Sequence, residues 1–83
     1  MYFVTLITVI AERNKEVHDG LKRLKSIEGV VIKSIFCLFG RYDAIIISDA
    51  SEVSTAMNLA VEIRKIGGVL EAETMLASPL INE

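Results

Sequence analysis

The chain has a single cysteine, Cys37, so no internal disulfide can staple it, and no spacing of Cys and His in it could build a zinc site. A reducing, cytoplasmic setting fits that usage. Its one histidine, His18, has no Cys or Ser partner within its own segment and reads as a surface residue. Basic residues never run beyond the Lys22-Arg23 pair, and nine basic against eleven acidic side chains leave a net charge of −2. The electrostatic footprint of a nucleic-acid binder is therefore absent. The opening apolar run, Tyr2 to Ile10, falls short of the ~20 residues that cross a bilayer and has no basic region ahead of it, so it is expected to be a strand rather than a membrane span or leader. Length allows one domain, 1–83, and excludes a multidomain regulator or a large enzyme.

What the chain has in excess is apolar side chains. Counted with Gly and without Tyr, their share is about 55%, against a usual ~45–50%. A chain this short buries only ~60–65% of its extended surface, so the excess is expected to cover a partner subunit.

Tyr2 to Ala11 is rich in β-branched and aromatic residues and reads as a first strand. From Asn14 the apolar period becomes helical, with Val17, Leu21 and Leu24 on one stripe, Asn14 as N-cap and Gly29 beyond the end. Val30 to Phe39 and Tyr42 to Ser48 read as two strands joined through Gly40-Arg41, a pair that suits a type II′ turn with positive φ at the glycine. Ser51 can cap a second helix whose inner face is Val53, Ala56, Met57, Ala60 and Ile63. Gly67-Gly68 stops it, and Val69 to Ala77 forms a last strand before Pro79. Glycine joins helix to strand in both halves, at Ile27 to Val30 and at Ile66 to Val69. Right-handed crossovers then give a ferredoxin-like α+β fold, βαββαβ, with an antiparallel sheet of order 4-1-3-2 and both helices on one face.

A sheet covered on one side normally alternates apolar with polar residues. Here Tyr42, Ala44 and Ile46 share one face of the third strand while Ile45 and Ile47 share the other, and Phe3, Ile7 and Val9 oppose Val4, Leu6 and Ile10 in the first. Leaving such side chains wet forgoes about 1.5–3 kcal/mol each. The simplest cover is the same face of a second copy, a two-fold dimer closing two sheets into a dimeric α/β barrel.

Three segments carry a resemblance: Lys25 to Val30 (Lys-Ser-Ile-Glu-Gly-Val), Phe39 to Ala44 (Phe-Gly-Arg-Tyr-Asp-Ala) and Gly68 to Leu76 (Gly-Val-Leu-Glu-Ala-Glu-Thr-Met-Leu). In order and spacing the chain resembles the effector-binding (RAM) domain of leucine-responsive, Lrp/AsnC-type transcription regulators, over nearly its whole length. Those regulators carry a helix-turn-helix domain ahead of this one, so the chain looks like a stand-alone copy of the amino-acid-sensing module. A related family of small proteins of the same architecture, named for its Gly-Tyr-Asp signature, shows the same Gly-Arg-Tyr-Asp turn. The resemblance implies a homodimer, with an octamer or decamer as its larger assemblies, an amino acid as small-molecule effector in a cleft between subunits, and hetero-assembly with full-length regulators. Carried over, the effector loop is Gly40, Arg41, Tyr42 and Asp43, approached by strand-two residues and by the region of Thr74 from a neighbour.

The residues of that loop suit the ligand on their own terms. Accessible backbone N–H groups at Gly40 and Arg41 can hold a carboxylate. Asp43 can accept from an ammonium group, and Leu38, Phe39 and Tyr42 offer apolar walls. Each has a structural competitor: Asp43 as a turn aspartate bonded to its own hairpin, Arg41 as a solvated charge, Tyr42 as a dimer contact, Thr74 as an ordinary strand residue. Cys37 reads as a small buried hydrophobe, Met57 and Met75 as core, and Glu71 with Glu73 as charges that keep an edge strand from aggregating. The leading expectation is a non-catalytic small-molecule sensor without cofactor or metal, touching neither nucleic acid nor membrane. The alternatives are a small dimeric α/β-barrel enzyme, monooxygenase- or isomerase-like, and a pure assembly module.

Overall fold

Six elements follow one another as βαββαβ. In the computed structural model, which describes residues 1–24 and 27–81, they are β1 (Tyr2–Val9), α1 (Asn14–Lys22), β2 (Val30–Cys37), β3 (Ala44–Ala50), α2 (Val53–Arg64) and β4 (Val69–Ala77). Lys25 and Ser26, which open the first of the three quoted segments, lie outside the described residues. All pairings are antiparallel and the strand order is β2-β3-β1-β4, the expected 4-1-3-2 counted from the other edge.

Period-two alternation in the two central strands decides what the sheet buries. Phe3 and Ile7 of β1 and Ile46 of β3 point to one side, where Val17 and Leu21 of α1 and Leu59 and Ile63 of α2 close over them. Val4, Leu6, Ile45 and Ile47 point to the other side and stay half-buried, as no helix covers them. Val31 and Phe36 on β2 and Met75 on β4 extend this second apolar surface and are exposed. The sheet centre is thus apolar on both faces. Glu71 and Glu73 stand exposed on edge strand β4, and a bulge between Ile32 and Ser34 interrupts the ladder of the opposite edge strand, β2.

Several local expectations are corrected. The β2–β3 connection is no two-residue type II′ turn: the Leu38 N–H donates to the Asp43 carbonyl at 3.0 Å across four intervening residues. Positive φ among the described residues is confined to Glu12, Gly29 and Gly68, so Gly40 adopts an ordinary conformation. Tyr42 accordingly lies in the loop, and β3 runs from Ala44 to Ala50 instead of starting at Tyr42. Neither helix takes the expected cap. Arg13, which pairs with Glu16 across the first turn of α1, precedes Asn14, and Glu52 rather than Ser51 precedes α2, neither with a side-chain capping bond. On α2 the buried stripe is Ala56, Leu59, Ala60 and Ile63, whereas Val53 and Met57 face solvent. Met57 and Met75 are exposed, so the expectation that they belong to the core fails.

Gly68 is where glycine is required. It is buried with φ of 94°, and a Cβ there would stand 2.9 Å from Val17 Cγ2 and 3.0 Å from Arg13 Cβ. A Cβ on Gly40 would meet nothing within 4 Å. Gly68→Ala is therefore expected to cost at least ~1–3 kcal/mol of folding free energy, and Gly40→Ala less than ~0.5 kcal/mol. Urea unfolding of the two variants checks both.

Candidate functional site

The loop from Leu38 to Asp43 hangs from the end of β1. The β1–β3 register stops at Ile7 opposite Ala44, while β1 continues to Val9. Asp43 fills the gap twice: its N–H donates to the Ile7 carbonyl at 2.8 Å, and its Oδ2 accepts from the Val9 N–H at 2.7 Å. A carboxylate thus stands in for the missing ladder acceptor, in a charge-assisted bond that fixes where the loop leaves the sheet. The carboxylate of Asp43 is thus directed at the neighbouring strand, while its carbonyl closes its own hairpin by accepting from the Leu38 N–H.

Above this anchor the loop is open. Phe39 is 100% exposed, Gly40 and Arg41 are exposed, and Leu38 and Tyr42 are half-buried. The Arg41 guanidinium sits 5.6 Å from the centre of the Tyr42 ring, a cation–π contact. Five of the six expected binding residues, Leu38, Gly40, Arg41, Tyr42 and Asp43, therefore share one loop. Thr74 does not join them within the chain. It lies on β4, two strands and about 10 Å away across the sheet, and its Oγ1 shares a 2.9 Å hydrogen bond with Oγ1 of the buried Thr5.

The structure also brings together two residues that the sequence kept apart. Cys37 is exposed on edge strand β2, not buried, and its Sγ lies 3.7 Å from Nε2 of the half-buried His18 on α1. The signal was in the register: Cys37 pairs with Ala44, whose side chain points to the helical side, so Cys37 points toward α1. Elsewhere on α1, the exposed Lys15 hydrogen-bonds Asp19 at 2.9 Å, and that bond together with the lysine charge holds the Asp19 carboxyl below its ordinary value. Among the described residues no group of three or more His, Cys, Asp and Glu side chains could hold a metal ion, and no helix is long and apolar enough to cross a membrane.

With this geometry in view, comparison with known families is decisive over almost the whole length: the GYD domain matches residues 5–80. The chain belongs to the GYD domain family. The Asp of the signature is Asp43, and in this GYD domain it ties the loop to β1. No curated protein matches it. Among solved structures, FFRP-DM1 superposes with a TM-score of 0.73 at 22% identity, covering 93% of this chain and 97% of that one. TTHA0845 from Thermus thermophilus gives 0.76 at 18% identity, covering 99% and 98%. Escherichia coli AsnC gives 0.66 at 18% identity, with 98% of this chain matched to 55% of AsnC. At these identities the GYD domain shares a fold with AsnC-type proteins, and the resemblance to their effector-binding domain is correct at that level.

Proposed function

We propose that this GYD domain is a non-catalytic small-molecule binding module that pairs with a second copy through its helix-free sheet face and takes an amino-acid-like effector at the Leu38–Asp43 loop. The observation that carries this reading is the second apolar surface, Val4, Leu6, Ile45 and Ile47 at its centre with Val31, Phe36 and Met75 around it. A patch of this kind marks an interaction surface. A face apolar at the middle and acidic at the β4 edge meets itself well when the two-fold axis runs along the strands, which sets the two β4 edges at opposite borders of the contact. Thr74 has no part in this reading: its hydroxyl bonds that of buried Thr5 on the helical side of the sheet and so faces away from the surface proposed to pair.

The loop supports a polar, zwitterionic ligand. Arg41 and the exposed backbone of Gly40 and Arg41 suit a carboxylate, while Phe39 and Leu38 supply an apolar wall that a side chain of the ligand could complete. The class of ligand is what the sequence resemblance to Lrp/AsnC-type effector-binding domains implies, and larger rings or mixed assembly with full-length regulators belong to the same reading.

A thermal-shift screen of the twenty amino acids on ligand-stripped protein tests it. An effector at a hundred times its Kd is expected to stabilise the fold by roughly 2.7 kcal/mol. Arg41→Ala is expected to abolish that shift while lowering the melting point of the unliganded protein only by the few degrees that losing an exposed cation–π contact with Tyr42 would cause. Twenty null results would remove the amino-acid reading.

A further inference from the structure

The geometry points to a second site, a base-paired nucleophilic thiol: Cys37, with His18 as its proton acceptor, captures a small apolar electrophile from the cavity between α1 and the end of β2. This does not rest on the effector reading, because the cavity lies on the helical side of the sheet, away from the face proposed to pair.

Two observations coincide there. The first is the Cys37 Sγ to His18 Nε2 approach of 3.7 Å. An imidazole within reach of a thiol is the arrangement that activates it for attack. The second is a cavity of about 240 Å³ onto which both residues open, walled by Leu21, Ile35 and Ala44 and bordered by Lys22. It is smaller than the ~300–1,000 Å³ of drug-sized sites, so its occupant is small, and its walls favour an apolar one. Helical spacing explains the third group: Lys22 follows His18 by four positions and shares its side of α1.

For an activated alkene, such as one conjugated to a carbonyl, the step balances without any other reagent. Nε2 of His18, in the tautomer that carries its proton on Nδ1, takes the thiol proton as the S–C bond forms. The alkene π pair shifts to the carbonyl and makes an enolate, for which Lys22 is the nearby cation. His18 then returns the proton to the carbon next to the carbonyl, so S–H has added across C=C. No turnover is implied, since the chain keeps the adduct.

N-phenylmaleimide is the probe, with intact-mass spectrometry following the adduct on the full chain. Expected results are a single adduct, lost in Cys37→Ser, and a rate that saturates with probe concentration because the cavity binds it first. The native chain should react faster than the same chain unfolded in urea. His18→Asn should slow the native rate at least about tenfold. The proposal is overturned if the native rate is linear in probe and no faster than the unfolded one, a comparison that stands whether or not the histidine variant folds. A His18→Asn protein that is folded and reacts at the native rate overturns it equally.

Discussion

Ile47→Asp is expected to convert a two-chain particle into a single folded chain. Ile47 stands on the helix-free side of β3 with Val4 of β1 and Ser34 of β2 as its cross-strand neighbours, at the middle of the apolar surface. In the isolated chain it is half-exposed, so a carboxylate there remains solvated and the helical side of the sheet, where Ile46 is fully buried, is untouched. In a face-to-face pair the same carboxylate would be dehydrated against isoleucine and leucine with no cation opposite, and two-fold symmetry places it there twice. The effective penalty is several kcal/mol per buried ion. The dissociation constant should therefore rise by at least about a thousandfold, or about 4 kcal/mol. Sedimentation at micromolar concentration should give twice 9.2 kDa for the wild type and 9.2 kDa for the variant, with helical and strand circular dichroism unchanged. A wild-type protein that sediments as one chain would remove the basis of the proposed function.

Asp43→Ala is expected to lower the melting temperature whether or not a ligand is present. The Asp43 Oδ2 accepts from the Val9 N–H at 2.7 Å in a part-buried setting, and the ladder offers that N–H no backbone acceptor on β3, which pairs with β1 only as far as Ala44. Deleting the carboxylate strands a donor and frees the point where the loop leaves the sheet. Hydrogen bonds to charged groups contribute ~1.5–3 kcal/mol, and one kcal/mol moves the midpoint of a domain this size by ~4–8 °C, so a fall of roughly 10–20 °C is expected. Asp43→Asn keeps an acceptor oxygen without the charge and should recover about half of it. Thermal unfolding of the three proteins decides whether the aspartate is chiefly a strut. An unchanged midpoint in Asp43→Ala would return it to the class of ligand-only residues.

Much of the architecture was legible because it depends on period and punctuation. Val69 to Ala77 coincides with β4, and the glycines before Val30 and Val69 mark the two helix-to-strand joints in the structure, both with positive φ. What depends on how one element lies on another was not. The α2 sequence supports two overlapping stripes, one through Val53 and Met57 and one through Leu59. Only the rotation of the helix about its own axis, as it packs on the sheet, selects the second. The same holds at the loop. Its residues were legible as a group, since they are contiguous, but the direction in which Asp43 points follows from β1 outlasting β3. No local signal records that. His18 and Cys37 are nineteen positions apart and meet only through the sheet register, which is why each read separately as inert.

The irregularity in β2 has a consequence for how copies can join. An outermost strand with intact spacing would template further strands, stacking chain upon chain into fibres. Between Ile32 and Ser34 the spacing slips, so Lys33 falls out of step just where an incoming strand would need its partner. Growth along the hydrogen-bonding direction is thereby discouraged at that border. A concentrated stock of this protein should favour closed particles of fixed size, and its scattering should plateau instead of climbing with time.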